Sequence, residues 1–171
     1  SLVRELMPSG VHVIIRPRGG DFLYNELECE VMMRDIEMAR RIGVDGVVLG
    51  CLTAEGQVDV KMMRELMDVA GQMSVTFHRA FDMCCDPFAA LRDIELLGCH
   101  RILTSGQQSS AEVGIPLLKE LVTKSNKVII MPGCGINADN IAKIARETGA
   151  HEFHLSARMS VEGGMQYRNP R

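Results

Sequence analysis

The chain has 171 residues, of which 46% are hydrophobic and 24% are charged, a composition typical of a folded domain rather than of a disordered or collagen-like chain. Its formal net charge of −3 offers no basic excess for nucleic-acid phosphates, and no apolar run approaches the roughly 18 residues that cross a bilayer. We therefore expect a cytoplasmic protein that binds neither nucleic acid nor membrane and whose six cysteines are reduced.

Six short apolar runs rich in β-branched residues recur along the chain, and an amphipathic helical pattern follows each run except the last. The predicted strands are residues 11–16, 46–50, 74–79, 101–105, 127–132 and 152–157. The predicted helices are residues 26–42, 59–70, 87–97, 110–123 and 138–148. Strands that alternate with helices in this way predict a parallel α/β sheet.

The residues that end the runs favour a barrel over an open sheet. An open doubly wound sheet usually carries G-x-G-x-x-G after its first strand, whereas residues 18–21 read R-G-G-D. Polar residues end every run here, as in a TIM (β/α)8 barrel. A closed barrel needs eight strands, and this chain has room for six. We predict one partial (β/α)8 barrel domain over residues 1–171, which lacks the first two strands and the final helix.

Side chains alternate between the two faces of a strand, so the pattern predicts which residues share the barrel lumen. Arg16, His78, Glu152 and His154 are expected to converge there, and arginine with histidine suits a small anionic ligand. The alternative is a buried ion pair of Arg16 with Glu152 that fills the lumen. The glycine-rich loop at residues 132–136 is either a phosphate-binding loop or a tight turn into the next helix.

The residues at the strand ends also limit which metals and which catalytic mechanisms the sequence supports. Cys51, Cys84 and Cys134 follow strands and could present soft thiolates to Cu(I), although they are also compatible with ordinary buried thiols. No C-x-x-C or H-x-x-x-H spacing supports zinc, no G-x-S-x-G supports a serine nucleophile, and no lysine ends a strand. If the protein is an enzyme, acid–base catalysis by His78, Asp82 or His154 is the simplest hypothesis.

Five segments together resemble the copper homeostasis protein CutC family: they read I-R-P-R-G-G-D-F (15–22), V-T-F-H-R-A-F-D (75–82), I-L-T-S-G (102–106), M-P-G-C-G-I (131–136) and E-F-H-L-S-A-R (152–158). The resemblance covers nearly the whole chain and implies a TIM-barrel-like fold, a cytoplasmic setting, a homo-oligomer and a role in copper handling. The family's first two strands, which carry the cysteines proposed to hold copper, have no counterpart here, and Cys134 stands where the family has a glycine.

The positions that match the family imply a polar pocket at the barrel mouth. They are Arg16, Arg18, Asp21, His78, Arg79, Asp82, Ser105, Gly133, Gly135, His154 and Arg158. We expect an anionic ligand to be bound by Arg16, Arg18, Arg79, Ser105, Gly133, Gly135 and Arg158. The predicted function is cytoplasmic copper binding and handling. The alternatives are a barrel enzyme that uses acid–base chemistry on a small anionic or phosphorylated metabolite, and an oligomer-forming remnant without catalysis.

Overall fold

The computed structural model describes residues 5–6, 10–156, 158 and 161–167. In this part of the chain the strands are β1 His12–Ile14, β2 Gly46–Leu49, β3 Ser74–Phe77, β4 Arg101–Thr104 and β5 Ile129–Pro132. They form one sheet in chain order, and every neighbouring pair is parallel. The sheet is not closed over the described residues, so the architecture is that of an incomplete TIM barrel.

The described helices are α1 Glu26–Ile42, α2 Val60–Ala70, α3 Pro87–Leu97, α4 Ile115–Lys124 and α5 Ile141–Thr148. Local capping chemistry sets several of their ends. The Asp86 carboxylate accepts hydrogen bonds from the backbone N–H groups of Phe88 and Ala89, and Gly98 ends α3 in the left-handed conformation. No helix in this part of the chain is long and apolar enough to span a membrane.

The hydrophobic core lies between the helices and one face of the sheet. Strand side chains such as Val47, Val75 and Ile102 are buried there against helix side chains such as Met32 and Leu118. The next residues along each strand point to the opposite, concave face. This alternation agrees with the prediction that His78, at the end of the third run, faces the lumen, and it leaves the concave face of the sheet available for a site.

The structure differs from the prediction in the sixth run and in the segments that follow several strands. The sixth run, 152–157, is not a strand in the described part of the chain, and residue 157 lies outside it. A single parallel bridge joins His154 to Gly133, and the His154 N–H donates to the Pro132 carbonyl at 2.9 Å. Beyond this bridge Leu155 and Ser156 are exposed, because the chain leaves the sheet after one hydrogen bond.

The other departure is a short 3₁₀ helix, Arg79–Met83, which follows β3 directly and which the apolar pattern did not predict. Helices α4 and α5 also begin later than predicted, at Ile115 and Ile141. In both cases turns occupy the residues that the periodicity had assigned to the first helical turn. The chain after β3 and β4 therefore forms compact loops at the carboxyl end of the sheet.

Candidate functional site

A cavity of about 410 Å³ lies on the concave face of the sheet. Its polar lining consists of His12, Arg16, Thr76, His78, Arg79 and His154, and its apolar lining of Ile14, Phe22, Val48, Leu103 and Met131. The structure therefore brings Arg16, His78 and His154 to one cavity, as side-chain alternation along the strands predicts.

Glu152 does not join this group. Its carboxylate pairs with the guanidinium of Arg101, with Nη2 3.2 Å from Oε1, and Arg101 also donates to the Ser74 hydroxyl. Arg101 is the first residue of β4, so this pair lies at the amino end of the sheet, away from Arg16 at the carboxyl end. The predicted alternative of an ion pair between Arg16 and Glu152 is therefore wrong.

His78 is a buried polar residue of the cavity, with 4% of its surface exposed. It follows β3 and caps the 3₁₀ helix: its Nδ1 accepts a hydrogen bond from the Ala80 N–H at 3.2 Å. The ring packs against Phe22 at 4.9 Å between centroids. Burial, and then the charge of Arg16, lower the pKa of His78 from 6.5 to about 4, so the imidazole is neutral at pH 7.

Arg16 is the exposed cation of the cavity. Its guanidinium lies 4.6 Å from the centre of the Phe22 ring, and Nη2 donates to the Gly20 carbonyl at 2.7 Å. A cation over an aromatic face is favourable. Phe22 therefore contacts both Arg16 and His78 and sets their relative position. Sequence reasoning did not assign Phe22 a role, and its place directly after R-G-G-D was the signal available.

Asp82 holds the other arginine of the cavity. The Arg79 Nε donates to Asp82 Oδ2 at 2.7 Å, and Arg79 Nη2 donates to Ser105 Oγ at 3.1 Å. The Asp82 carboxylate also accepts hydrogen bonds from Thr104 Oγ1 at 2.5 Å and from the backbone N–H groups of Ser105 and Gln107 at 3.0 and 3.1 Å. With this many donors on a side chain that is 6% exposed, Asp82 is a positioning residue for Arg79 and the loop after β4.

The remaining predicted anion ligands lie outside the cavity lining. Arg18 donates to Glu28 at 2.5 Å and pairs with Asp21 at 2.9 Å, so it fastens the loop after β1 to the first turn of α1. Arg158 is exposed. Gly133 is buried, and a Cβ there would lie 2.4 Å from Leu103 Cδ1. Gly135 has φ +75°, a conformation that favours glycine.

The three candidate copper ligands differ in exposure. Cys51 and Cys84 are buried, and burial raises the pKa of the Cys51 thiol well above its ordinary value and that of Cys84 to about 12. Cys134 is half-buried with φ 77°, its sulfur is 3.3 Å from the Ser109 carbonyl oxygen, and the Arg79 guanidinium is in hydrogen-bonding reach of it. No group of three or more His, Cys, Asp or Glu side chains in the described part of the chain could hold a metal ion.

These observations define an incomplete TIM-barrel protein of the α/β class, with a cavity on the concave face of its sheet that is lined by arginine and histidine. The CutC family model matches residues 2–159. The chain therefore belongs to the CutC family.

Individual relatives agree with this assignment. The chain is 59% identical to a CutC family protein of Bacteroides thetaiotaomicron over 171 residues, which is 99% of this chain and 69% of that protein. It is 47% identical over 169 residues to the human copper homeostasis protein cutC homolog, covering 98% of this chain and 62% of the human protein. The crystal structure of a Streptococcus agalactiae CutC protein superposes with a TM-score of 0.86 at 33% identity, covering 90% of this chain and 77% of that one.

The comparisons thus support the copper homeostasis family among the predicted functions and do not favour the enzyme acting on an anionic metabolite. The chain spans about two thirds of the length of these relatives.

Proposed function

We propose that this chain, as a single domain over residues 1–171, handles copper in the cytoplasm and binds the metal as Cu(I) through cysteine thiols. Membership of the copper homeostasis family carries this proposal. Cu(I) selects soft thiolate and thioether ligands. All six cysteines are free thiols, so none is withheld from a metal by a disulfide.

Accessibility distinguishes the three candidate thiols. The thiolate is the form that binds a metal, and burial keeps Cys51 and Cys84 protonated at neutral pH. Cys134, in the loop after β5, is the one of the three that is not buried. We expect the ion to contact Cys134 first. The proposal includes a homo-oligomer, because apolar side chains are exposed along β1 and α1, among them Ile14 and Met38.

The test is a competition titration of the reduced protein against a chromogenic Cu(I) chelator. We expect a defined Cu(I) stoichiometry for the wild-type protein and a loss of at least about tenfold in affinity for Cys134→Ser, since one soft ligand is removed. Cys99→Ser is the matched control, because Cys99 is a buried thiol beside Met67 and no candidate ligand. Equal Cu(I) affinity of Cys134→Ser and wild type would reject Cys134 as a ligand, and binding no stronger than that of a free thiol would reject the proposal.

A further inference from the structure

In the neutral imidazole of His78, one ring nitrogen makes a hydrogen bond and the other does not. Nδ1 accepts from the Ala80 N–H, so the proton of the neutral ring resides on Nε2, which is then a donor. Nε2 is buried and has no hydrogen-bond partner among the described residues. A buried donor without a partner is costly, and an acceptor from outside the described residues would remove that cost.

The position of the ring directs this donor into the cavity. Its Nδ1 edge faces Ala80 and Gly50, neither of which lines the cavity, and a Cβ at Gly50 would lie only 2.8 Å from Nδ1. His78 itself does line the cavity. The Nε2 edge is therefore on the cavity side of the ring, with less than 1 Å² of the surface of Nε2 itself exposed.

The charges around the cavity indicate the sign of the ligand. Arg16 and Arg79 both line it, and no Asp or Glu is among the described residues that do. Each guanidinium has five N–H donors. Arg16 donates to Gly20 and has Tyr24 within hydrogen-bonding reach. Arg79 donates to Asp82 and Ser105 and has Cys134 within reach. Donors therefore remain on both arginines for an anion held beside His78.

The apolar residues of the lining indicate that the uncharged part of the ligand is apolar. Ile14, Val48, Leu103 and Met131 come from four of the five strands and form an apolar wall next to the polar end. At about 410 Å³, the cavity is in the range of sites for small organic molecules. A bare inorganic anion would leave this wall in contact with water, whereas a short carbon chain would cover it.

We propose that this cavity binds a small organic oxyanion, a carboxylate or phosphate on a short apolar body, whose oxygen accepts a hydrogen bond from His78 Nε2 while Arg16 and Arg79 compensate its charge. This proposal does not depend on the proposed copper function, although Arg79 is within hydrogen-bonding reach of Cys134. His78 cannot ligate a metal through Nε2 without moving its proton to Nδ1, where it would oppose the Ala80 N–H donor.

The test measures binding to the full 171-residue chain by isothermal titration calorimetry and by ¹⁵N chemical shifts of the histidine rings. The probes are butyrate, butyl phosphate, inorganic phosphate and the neutral analogue butanol. We expect saturable binding of butyrate, of butyl phosphate or of both, with a shift of the His78 Nε2–H signal. Inorganic phosphate is expected to bind more weakly, and butanol not to bind. The two organic anions distinguish a carboxylate site from a phosphate site.

Four variants separate the roles of the residues. His78→Phe removes the donor and should weaken anion binding by about tenfold or more, because a hydrogen bond to a charged group is lost. His78→Gln keeps an N–H donor near the same place and should retain most of the affinity. Arg16→Gln, at an exposed position, should weaken binding, whereas Arg18→Gln in the same loop should not, since Arg18 does not line the cavity.

The proposal is overturned if neither organic anion binds saturably, if butanol binds as tightly as they do, or if both His78→Phe and Arg16→Gln bind like wild type. Circular dichroism shows whether the His78→Phe protein folds. If that variant does not fold, the anion affinity of Arg16→Gln tests the proposal instead. Cys134→Ser should retain anion binding in every case. The copper proposal and this one can therefore fail independently.

Discussion

The burial of His78 as a neutral ring ties the stability of the protein to pH. Its pKa is lowered from 6.5 to about 4, so between these values the unfolded chain binds a proton that the folded chain does not. The free energy of unfolding should therefore fall as the pH falls from about 6.5 to about 4, by about 3 kcal/mol in total from this group.

Urea unfolding of wild type and His78→Gln at a series of pH values between 4 and 7 measures this contribution. We expect the wild-type protein to lose stability relative to His78→Gln as the pH is lowered, because glutamine does not titrate. Groups common to both proteins, such as His12 with its lowered pKa, cancel in the difference. A constant difference between the two proteins over this pH range would show that His78 is not held neutral by the fold.

Single residues also show how far side-chain alternation could predict the site. The period of two in a strand assigns Arg16, His78 and His154 to one face, and all three line the cavity. The same period assigns Glu152 to that face without specifying its height along the barrel, and Glu152 pairs with Arg101 instead. The role of Asp82 could not be predicted, because its partners Ser105 and Gln107 are more than twenty residues away in sequence.

At the scale of elements, the sequence predicts correctly those helix ends that are set by nearby capping residues. Helices α1 and α3 have the predicted bounds, since capping residues such as Asp86 and Gly98 act within a few residues of themselves. The start of α4 could not be predicted from nearby capping residues. Gly114, its N-cap, lies against the chain after β4, and this contact depends on the tertiary fold.

The close contact at Gly114 predicts that a larger residue at the start of α4 destabilises the protein. A Cβ at Gly114 would lie 1.9 Å from the Ser105 carbonyl oxygen and 3.0 Å from Gly106 Cα, which are backbone atoms that cannot rotate away. Gly114→Ala should therefore displace the loop that Asp82 organises and lower the free energy of unfolding by about 2 kcal/mol or more. Chemical denaturation measures the loss.

The matched control for this prediction is Gly19→Ala. A Cβ at Gly19 would meet nothing within 4 Å, and its φ is not in the left-handed region. This variant should unfold within about 0.5 kcal/mol of wild type, as surface substitutions usually do. If Gly114→Ala proves as stable as Gly19→Ala, α4 does not start by close backbone contact with the loop.

At the scale of the whole molecule, β1 lies at one edge of the described sheet and is bonded there to β2 alone. An edge strand presents unpaired backbone groups, and an apolar one tends to pair with another chain. Ile14 on β1 is 61% exposed, and the neighbouring α1 exposes 53% of Met38. An apolar groove of about 480 Å³ runs between the two elements and is lined by both.

These features predict that the 171-residue chain self-associates through β1 and α1. Light scattering after size exclusion should give a mass that rises with protein concentration, and Ile14→Lys should reduce that mass, because a lysine on an edge strand opposes pairing. Leu96→Lys is the matched control, since Leu96 is 85% exposed on α3, an element that does not line the groove. A wild-type protein that stays monomeric at all concentrations would contradict the prediction, and an equal effect of both lysines would place the interface elsewhere.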